Sequence, residues 1–210
     1  MSISRKGSFI TFEGIDGCGK STQAKLLLEY LNSNGTNAIL VREPGGTRIS
    51  EEIRQVLLNT DRRELTHRTE ALLMTASRAQ LTDEIIIPNL EDGKTVIADR
   101  YIDSTVAYQG GGRGIEIAWL HELNQFATDR LLPNITFFVD ILPEEASRRK
   151  DFESDRIEEG GLDLQYRVRD TYLSLAEKEP NRIIVIDGYG SEAEIHQKII
   201  EEINRRNIVG

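Results

Sequence analysis

One stretch near the amino terminus limits the possible folds of this chain more than any other. Residues 9–22 read FITFEGIDGCGKST, an apolar β-branched run followed by a glycine-rich turn and the start of an amphipathic helix. Residues 14–21 fit the pattern G-x-x-x-x-G-K-[ST], between a predicted strand and a predicted helix as the pattern requires. Backbone N–H groups of such a turn and of the following helix can surround a polyphosphate. The stretch therefore predicts a phosphate-binding loop.

The side chains of this loop have distinct expected tasks. Lys20 is expected to reach the β- and γ-phosphates, and the hydroxyl of Ser21 is expected to ligate Mg²⁺. The glycines permit positive φ and close approach of the backbone to the ligand. The full set of expected phosphate-binding positions in the loop is Gly14, Ile15, Asp16, Gly17, Cys18, Gly19, Lys20, Ser21 and Thr22.

Composition narrows the class of protein further. The 210 residues are 39% hydrophobic and 29% charged, which fits one globular domain spanning 1–210. The net charge of −9 argues against general affinity for nucleic acid or anionic membrane. No apolar run approaches the roughly 18 residues of a membrane span, and the N-terminus has no signal-peptide pattern. We expect a cytoplasmic protein.

Apolar runs alternate with helical patterns along the chain. Five strands are predicted, at 9–12, 38–42, 95–98, 135–139 and 183–186. Helices are predicted at 20–33, 49–58, 66–90, 115–126, 143–150, 163–178 and 192–205, and Pro88 is expected to bend or end the third. This alternation predicts an α/β fold: a five-stranded parallel sheet with helices on both faces.

Ligands of such sheets bind at the carboxyl ends of the strands. The loops predicted there are 14–20, 43–47, 99–114, 140–143 and 187–191, and the first three hold most of the glycine, arginine and acidic clusters. Asp99, at the end of a strand, is positioned to hold Mg²⁺ directly or through water, and Arg100 to bind phosphate oxygens with its fork. The alternative is a buried ion pair that caps the strand.

Two further stretches leave alternatives open. Residues 108–114, YQGGGRG, are either a flexible loop or backbone that passes close to a ligand, with Tyr108 and Gln109 as nucleoside contacts. Residues 148–156, RRKDFESDR, are either a solvated charge run or a mobile lid that brings arginine onto phosphate. The three histidines, at 67, 121 and 196, fit no metal-ligand spacing or catalytic triad, and Cys18 is not expected to act as a nucleophile.

Together these motifs resemble the thymidylate kinase family of P-loop nucleoside monophosphate kinases. The resemblance covers essentially the whole chain and is carried by FEGIDGCGKSTQ at 12–23, REPGGT at 42–47, LLMTASRAQ at 72–80, DRYIDSTVAYQGGGRG at 99–114 and SDRIEEGG at 154–161. It implies the three-layer P-loop NTPase fold with a short lid at about 148–161. It also implies ATP as phosphoryl donor, dTMP as acceptor, Mg²⁺ as cofactor and a homodimer, whose surface we place on the 66–90 helix.

The resemblance also implies roles for single residues. Asp16 and Glu13 are expected near the phosphates and Mg²⁺, and Glu13 is also expected among the dTMP contacts. Arg100 is expected between the donor and acceptor phosphates, and Arg78 at the thymine edge. A tyrosine at the position of Tyr108 is expected to lie against C2′ and so disfavour ribonucleotides. The remaining expected dTMP contacts are Pro44 near the sugar, Arg54 at the acceptor phosphate, and Ser104, Thr105 and Gln109 around base and sugar.

The chain departs from the family pattern at two positions. Met74 stands where members often stack a phenylalanine on thymine. Gly17 stands where some members have an arginine in the phosphate loop, so a lid arginine should supply that charge: Arg148, Arg149 or, as our first choice, Arg156. The expected catalytic residues are therefore Lys20, Arg100, Arg156 and Asp16, with Arg148 at the donor phosphates.

Other functions compete with dTMP phosphorylation at this stage. A P-loop kinase for another nucleoside monophosphate and a non-catalytic nucleotide-binding module both remain alternatives. A GTPase switch is disfavoured because the chain has no N-K-x-D motif for guanine. If the kinase interpretation holds, no general base is needed, because the second pKa of a phosphate monoester is about 6 and the acceptor is already largely dianionic.

Overall fold

A parallel sheet of five strands forms the centre of the computed structural model, which describes residues 6–61, 64–149 and 156–209. The strand order is β2-β3-β1-β4-β5, so β1, which leads into the phosphate loop, is central. The strands are β1 Phe9–Glu13, β2 Ala38–Arg42, β3 Thr95–Asp99, β4 Ile135–Asp140 and β5 Ile183–Asp187. The prediction of a five-stranded parallel α/β fold is confirmed, and each strand matches its predicted range to within one residue.

Helices cover both faces of this sheet. Alternate residues of β1 point to opposite faces: Ile10 and Phe12 pack with α1 and α9, whereas Phe9 packs with residues of α4 and with Tyr101 on the other side. The α-helices are α1 Lys20–Ser33, α2 Arg48–Leu58, α3 His67–Leu81, α4 Ile87–Glu91, α5 Ile102–Thr105, α6 Ile117–Ala127, α7 Pro143–Arg149, α8 Gly161–Lys178 and α9 Glu192–Arg206.

The predicted long helix at 66–90 is interrupted by a change of hydrogen-bonding pattern. A π-helical turn, Thr82–Ile86, joins α3 to α4, and the helix ends only at Glu91. Pro88 lies near the start of α4, just after this turn. Proline has no N–H to donate to the preceding turn, so a local change of pattern next to it is the expected accommodation. Pro88 therefore does not end the helix.

The prediction of a loop over 99–114 was wrong for most of its length. Residues Ile102–Thr105 form α5, and Val106–Gly112 continue it as a π-helix. The glycines permit this because α8 packs directly on them. A Cβ atom on Gly111 would lie 1.8 Å from Thr171 Oγ1, and one on Gly112 would lie 2.7 Å from Leu164 Cδ1. Tertiary packing therefore overrides the low helix propensity of three consecutive glycines.

The predicted lid is only partly within the described residues. Lys150–Asp155 lie outside them, while Arg156–Gly160 form a short 3₁₀ helix that leads into α8. The prediction of irregular structure over 151–161 is therefore wrong for residues 156–161, which are helical, and its remainder lies outside the described residues. Within the described ranges, no helix is both long and apolar enough to cross a membrane.

Candidate active site

The first three loops at the carboxyl edge of the sheet meet at one cleft, as their composition predicted. The phosphate loop, the 43–47 loop and the segment after β3 all contribute to its walls, together with residues of α2 and α3. The lining residues are Asp16, Lys20, Ser21, Arg42, Glu43, Pro44, Arg54, Leu58, Met74, Arg78, Asp99, Arg100, Ser104, Thr105, Tyr108, Gln109 and Ile157. The 140–143 and 187–191 loops are not part of this lining.

The phosphate loop has the backbone conformation that its glycines predicted. Gly14, Gly17 and Gly19 have φ values of 143°, 88° and 95°. Gly19 is the N-cap of α1 and, as glycine, has no side chain to cap that end, so backbone N–H groups of the first turn are left for a ligand. Ile15 and Cys18 are buried beneath the loop, and burial raises the pKa of the Cys18 thiol. This agrees with a structural rather than nucleophilic cysteine.

Asp16 connects the loop to the opposite wall of the cleft. Its Oδ1 atom accepts hydrogen bonds from Lys20 Nζ at 3.0 Å and from Arg100 Nη2 at 2.8 Å. Its Oδ2 atom accepts from the hydroxyl of Tyr108 at 3.2 Å. Burial and Arg100 act to lower the pKa of Lys20, but Asp16, Cys18 and Asp99 outweigh them and raise it. Lys20 is therefore a fixed positive charge at the centre of the site.

Arg100 occupies a strained backbone position at the end of β3. Its φ is 74°, in the left-handed region, and its guanidinium lies 4.8 Å from the ring centroid of Tyr108. Burial acts to lower the pKa of Arg100, but Asp16, Tyr108, Tyr172 and Glu13 together hold it above its ordinary value. Such strain persists only where surrounding contacts hold it, and it is common at functional sites.

Glu13 supplies those contacts from below the cleft. Its Oε1 atom accepts the backbone N–H groups of Tyr101 (2.7 Å) and Ser104 (3.3 Å), which flank Arg100 in the fold. Its Oε2 atom accepts the hydroxyls of Ser104 and Tyr172. Burial, reinforced by Asp103, raises the pKa of Glu13 to about 7. Glu13 was expected among the dTMP contacts, but it is fully buried and does not line the cleft; it holds residues that do.

Arg78 lies at the far end of the cleft, with little freedom to donate further hydrogen bonds. Its Nε and Nη2 both bond Glu43 Oε2, and Nη2 also bonds the carbonyl of Tyr101. Its Nη1 bonds Thr105 Oγ1 and Asn124 Oδ1. These contacts engage all five N–H groups of a guanidinium. A base can therefore take a hydrogen bond from Arg78 only if one of these bonds is shared or exchanged.

Apolar side chains also line the cleft: Met74, Leu58 and Ile157. Arg54 Nη1 donates to the carbonyl of Pro44 at 2.8 Å. The residue expected at the acceptor phosphate, Arg54, is therefore hydrogen-bonded to the residue expected near the sugar, Pro44.

Four lining residues were not among those expected from the sequence: Arg42, Glu43, Leu58 and Ile157. The first two had a signal, since they begin the REPGGT motif at the end of a strand. Glu43 is buried, which raises its pKa against the influence of Arg78, and its Oε1 atom has no hydrogen-bond partner among the described residues. Leu58 and Ile157 had no signal, because an apolar residue near a helix end is ordinary.

The lid arginines are not at the cleft in this conformation. Arg156 is buried; it donates to Glu70 Oε2 at 2.7 Å and to the carbonyl of Leu57 at 2.9 Å. Arg148 and Arg149 both pair with Glu145 on their own helix, and Arg149 also bonds the carbonyl of Gly188. The assignments of Arg156 to catalysis and of Arg148 to the donor phosphates stay predictions.

The expected metal ligands fit a cation held largely by substrate and water. Ser21 and Asp99 both line the cleft, and Asp99 Oδ1 is buried without a hydrogen-bond partner among the described residues. Within the same part of the chain, no group of three or more His, Cys, Asp or Glu side chains could hold a metal ion. Mg²⁺ commonly binds through one or two protein oxygens plus phosphates and waters. An orphaned carboxylate oxygen and a hydroxyl that line the same cleft suit that arrangement.

Comparison with known proteins gives a consistent result over nearly the whole chain. The family model described as "Thymidylate kinase" matches residues 12–199. The thymidylate kinase of Chlorobaculum tepidum is 48% identical over 206 residues, covering 93% of this chain and 96% of that protein. The thymidylate kinase of Kosmotoga olearia is 47% identical over 196 residues, covering 92% and 94%. The crystal structure of thymidylate kinase from Ehrlichia chaffeensis has a TM-score of 0.80 at 36% identity, covering 94% of this chain and 98% of that one.

Proposed function

The chain belongs to the thymidylate kinase family, and on that basis we propose how its cleft transfers the γ-phosphoryl group of ATP to dTMP. The protein is a dTMP kinase with ATP as the phosphoryl donor. One observation carries the proposed arrangement: Asp16 joins Lys20 of the phosphate loop to Arg100 and Tyr108 of the opposite wall. Donor and acceptor sites therefore share one charged centre.

The donor side of the mechanism uses the backbone. We propose that the amides of residues 14–22 and the ammonium of Lys20 bind the ATP phosphates, which places the γ-phosphoryl group next to Arg100. The guanidinium of Arg100 then contacts both donor and acceptor phosphates. Because the acceptor phosphate is already largely dianionic near neutral pH, no side chain has to remove a proton. Alignment and neutralisation of phosphoryl charge supply the rate acceleration.

The acceptor side holds the nucleoside between the charged centre and Arg78. We propose that Met74 contacts the base, that Tyr108 lies against the sugar, and that Arg54 contacts the acceptor phosphate. Ser104, Thr105, Gln109 and Pro44 complete this pocket. The contact of Arg78 with the base requires exchange of one of its present bonds, and its bond to the Thr105 hydroxyl is the natural candidate because Thr105 also lines the cleft.

Mg²⁺ belongs to the proposal as well. Ser21 and Asp99 would hold it, consistent with the orphaned oxygen of Asp99. When bound, Mg²⁺ neutralises negative charge on the phosphate oxygens. Lys20 and Arg100 contribute to the same neutralisation from the protein.

We also propose a homodimer that uses α3 and α6. Leu72 on α3 is 50% exposed, and Trp119 and Phe126 on α6 are 60% and 89% exposed. Leu72 and Trp119 line one shallow groove between these helices. Exposed large apolar side chains on neighbouring helices mark an interaction surface, and a second copy of the chain is the occupant that the family implies. A cytoplasmic location also stays a prediction.

A coupled assay of ADP formation tests the substrate assignment. ATP is supplied with dTMP, dUMP, CMP, AMP or GMP, and kcat/KM is measured for each. We expect dTMP to be the best acceptor. A preference for AMP, or slow turnover with every monophosphate despite tight ATP binding, would contradict the proposal.

A further inference from the structure

A buried carboxylate, Glu70, lies behind the acceptor pocket, at a position that the proposed mechanism does not use. Glu70 is on α3, one helical turn before Met74, and is 0% exposed. Its Oε1 atom accepts hydrogen bonds from Gln109 Nε2 at 3.0 Å and Arg113 Nε at 3.4 Å. Its Oε2 atom accepts from Arg156 Nη2 at 2.7 Å. Glu70 therefore connects the pocket wall to two arginines.

These arginines fix the carboxylate in turn. Arg113 also donates to the carbonyl of Ile157 at 2.7 Å, and Arg156 also donates to the carbonyl of Leu57 at 2.9 Å. Two segments thus hold the carboxylate of Glu70: Arg113 follows the π-helix, and Arg156 begins the 3₁₀ helix. A buried side chain with this many charged partners has a defined position and orientation.

The orientation of the Gln109 amide follows from this arrangement. A carboxylate held by two guanidinium groups can only accept hydrogen bonds, so the atom of Gln109 that faces it must be the amide nitrogen. Gln109 lines the cleft, and among the described residues no donor bonds its Oε1 atom. The pocket therefore presents the amide oxygen, a hydrogen-bond acceptor, to the base.

We propose that Glu70 is a positioning residue for base selection: it orients Gln109 so that the pocket accepts pyrimidines with an N3–H group and rejects cytosine. Thymine and uracil donate a hydrogen bond from N3, whereas N3 of cytosine is itself an acceptor and would face the oxygen of Gln109. A buried mismatch of two acceptors is strongly unfavourable. The inference rests on the proposed function, since it assumes that the base of dTMP lies at Gln109.

The variant Glu70→Gln tests the orientation directly. The hydrogen bond from Arg156 is short, at 2.7 Å, and the one from Arg113 Nε is long, at 3.4 Å, so we expect the introduced amide to turn its oxygen to Arg156. Its nitrogen then faces the side chain of Gln109, and the long hydrogen bond from Arg113 is lost. Gln109 would then turn its own oxygen towards that nitrogen and present its amide nitrogen to the base. Calorimetric titration with dTMP, dUMP and dCMP measures the effect. We expect Kd for dTMP and dUMP to rise roughly tenfold while Kd for dCMP does not rise.

The exchange variant Glu70→Gln/Gln109→Glu is the matched rescue. It keeps one carboxylate and one amide in the cluster but presents an acceptor to the base again, so we expect the preference for dTMP over dCMP to return. It also keeps the buried charge, and therefore serves as the test if Glu70→Gln alone does not fold. A crystal structure of the wild-type protein with dTMP adds a test that needs no variant. We expect Gln109 Oε1 to lie within about 3.2 Å of N3 of the thymine.

Three outcomes would overturn the inference: equal loss of affinity for all three nucleotides in Glu70→Gln, an exchange variant that folds without regaining the preference, or a dTMP complex in which the amide nitrogen of Gln109 faces N3. Failure of the proposed function is a different result. In that case the wild-type protein itself would bind dTMP no better than the other monophosphates.

Discussion

Each of three arginines in and behind the cleft is held by a carboxylate from another part of the chain. Glu43 holds Arg78, Asp16 holds Arg100, and Glu70 holds Arg156. Removing one partner of a buried pair leaves an uncompensated charge and costs about 3–5 kcal/mol. Truncation of Glu43, Arg78, Glu70 or Arg156, whose pairs are almost fully buried, would therefore mix loss of stability with loss of function. Substitutions that keep the size and shape of the side chain, such as glutamate to glutamine, separate the two effects better.

Glu13→Gln tests the buried carboxyl below Arg100. In the unfolded chain the carboxyl loses its proton near pH 4.5, but in the fold it keeps the proton until about pH 7. The folded state therefore binds more protons between these values, and this group makes the protein less stable as pH rises through that window. Urea unfolding at pH 5, 6, 7 and 8 measures the effect. We expect the stability of wild type relative to Glu13→Gln to fall from pH 5 to pH 7.

Glu91→Gln is the control for this experiment, because Glu91 is an exposed residue at the end of α4. The difference in free energy of unfolding between Glu91→Gln and wild type should change little from pH 5 to pH 8. A difference between wild type and Glu13→Gln that stays constant from pH 5 to pH 8 would contradict the raised pKa of Glu13.

Met74→Phe tests whether the base lies against α3. A ring at this position can stack on thymine, and such contacts contribute about 0.5–1.5 kcal/mol beyond buried area. We expect Kd for dTMP to fall by roughly two- to tenfold on calorimetric titration. Met74→Leu, of similar volume but without a ring, should bind dTMP as wild type does. Weaker binding by the phenylalanine variant than by the leucine variant would place the base elsewhere.

At the scale of elements, the phosphate loop depends on its contact with α7. A Cβ atom on Gly17 would lie 2.2 Å from the carbonyl oxygen of Ala146, whereas one on Gly19 would meet nothing within 4 Å. Both glycines have positive φ, so alanine at either position carries similar backbone strain. We expect Gly17→Ala to lose at least about 1 kcal/mol more stability than Gly19→Ala, measured by urea unfolding without nucleotide. Equal losses of stability in the two variants would mean that backbone strain alone, and not the contact with Ala146, destabilises Gly17→Ala.

The elements differ in how far the sequence could predict them. The buried strands were predictable because both faces of a parallel sheet are covered, which makes each strand a continuous apolar run. The helical segment at 102–112 was not, because its stability comes from the close packing of α8 on Gly111 and Gly112. The phosphate loop and the Asp99–Arg100 pair were predictable from local motifs. The ion pair between Glu70 and Arg156 was not predictable, since it joins residues 86 positions apart in the sequence.

At the scale of the whole molecule, the proposed dimer can be tested with one charge. Leu72→Glu introduces a carboxylate into the groove lined by residues of α3 and α6, and burying it against a second copy would be costly. We expect a monomer by sedimentation at concentrations where wild type is a dimer. Leu162→Glu is the matched control, since Leu162 on α8 is similarly exposed, at 45% compared with 50%. Equal sedimentation of the two variants would argue against this surface.

We propose that one cleft receives both nucleotides. A crystal structure with dTMP and a non-hydrolysable ATP analogue tests this most directly. We predict the analogue's phosphates on the backbone of residues 14–22, the dTMP phosphate at Arg100, and thymine between Met74 and Gln109 near Arg78. A monophosphate bound away from Arg78 and Arg100 would contradict the account.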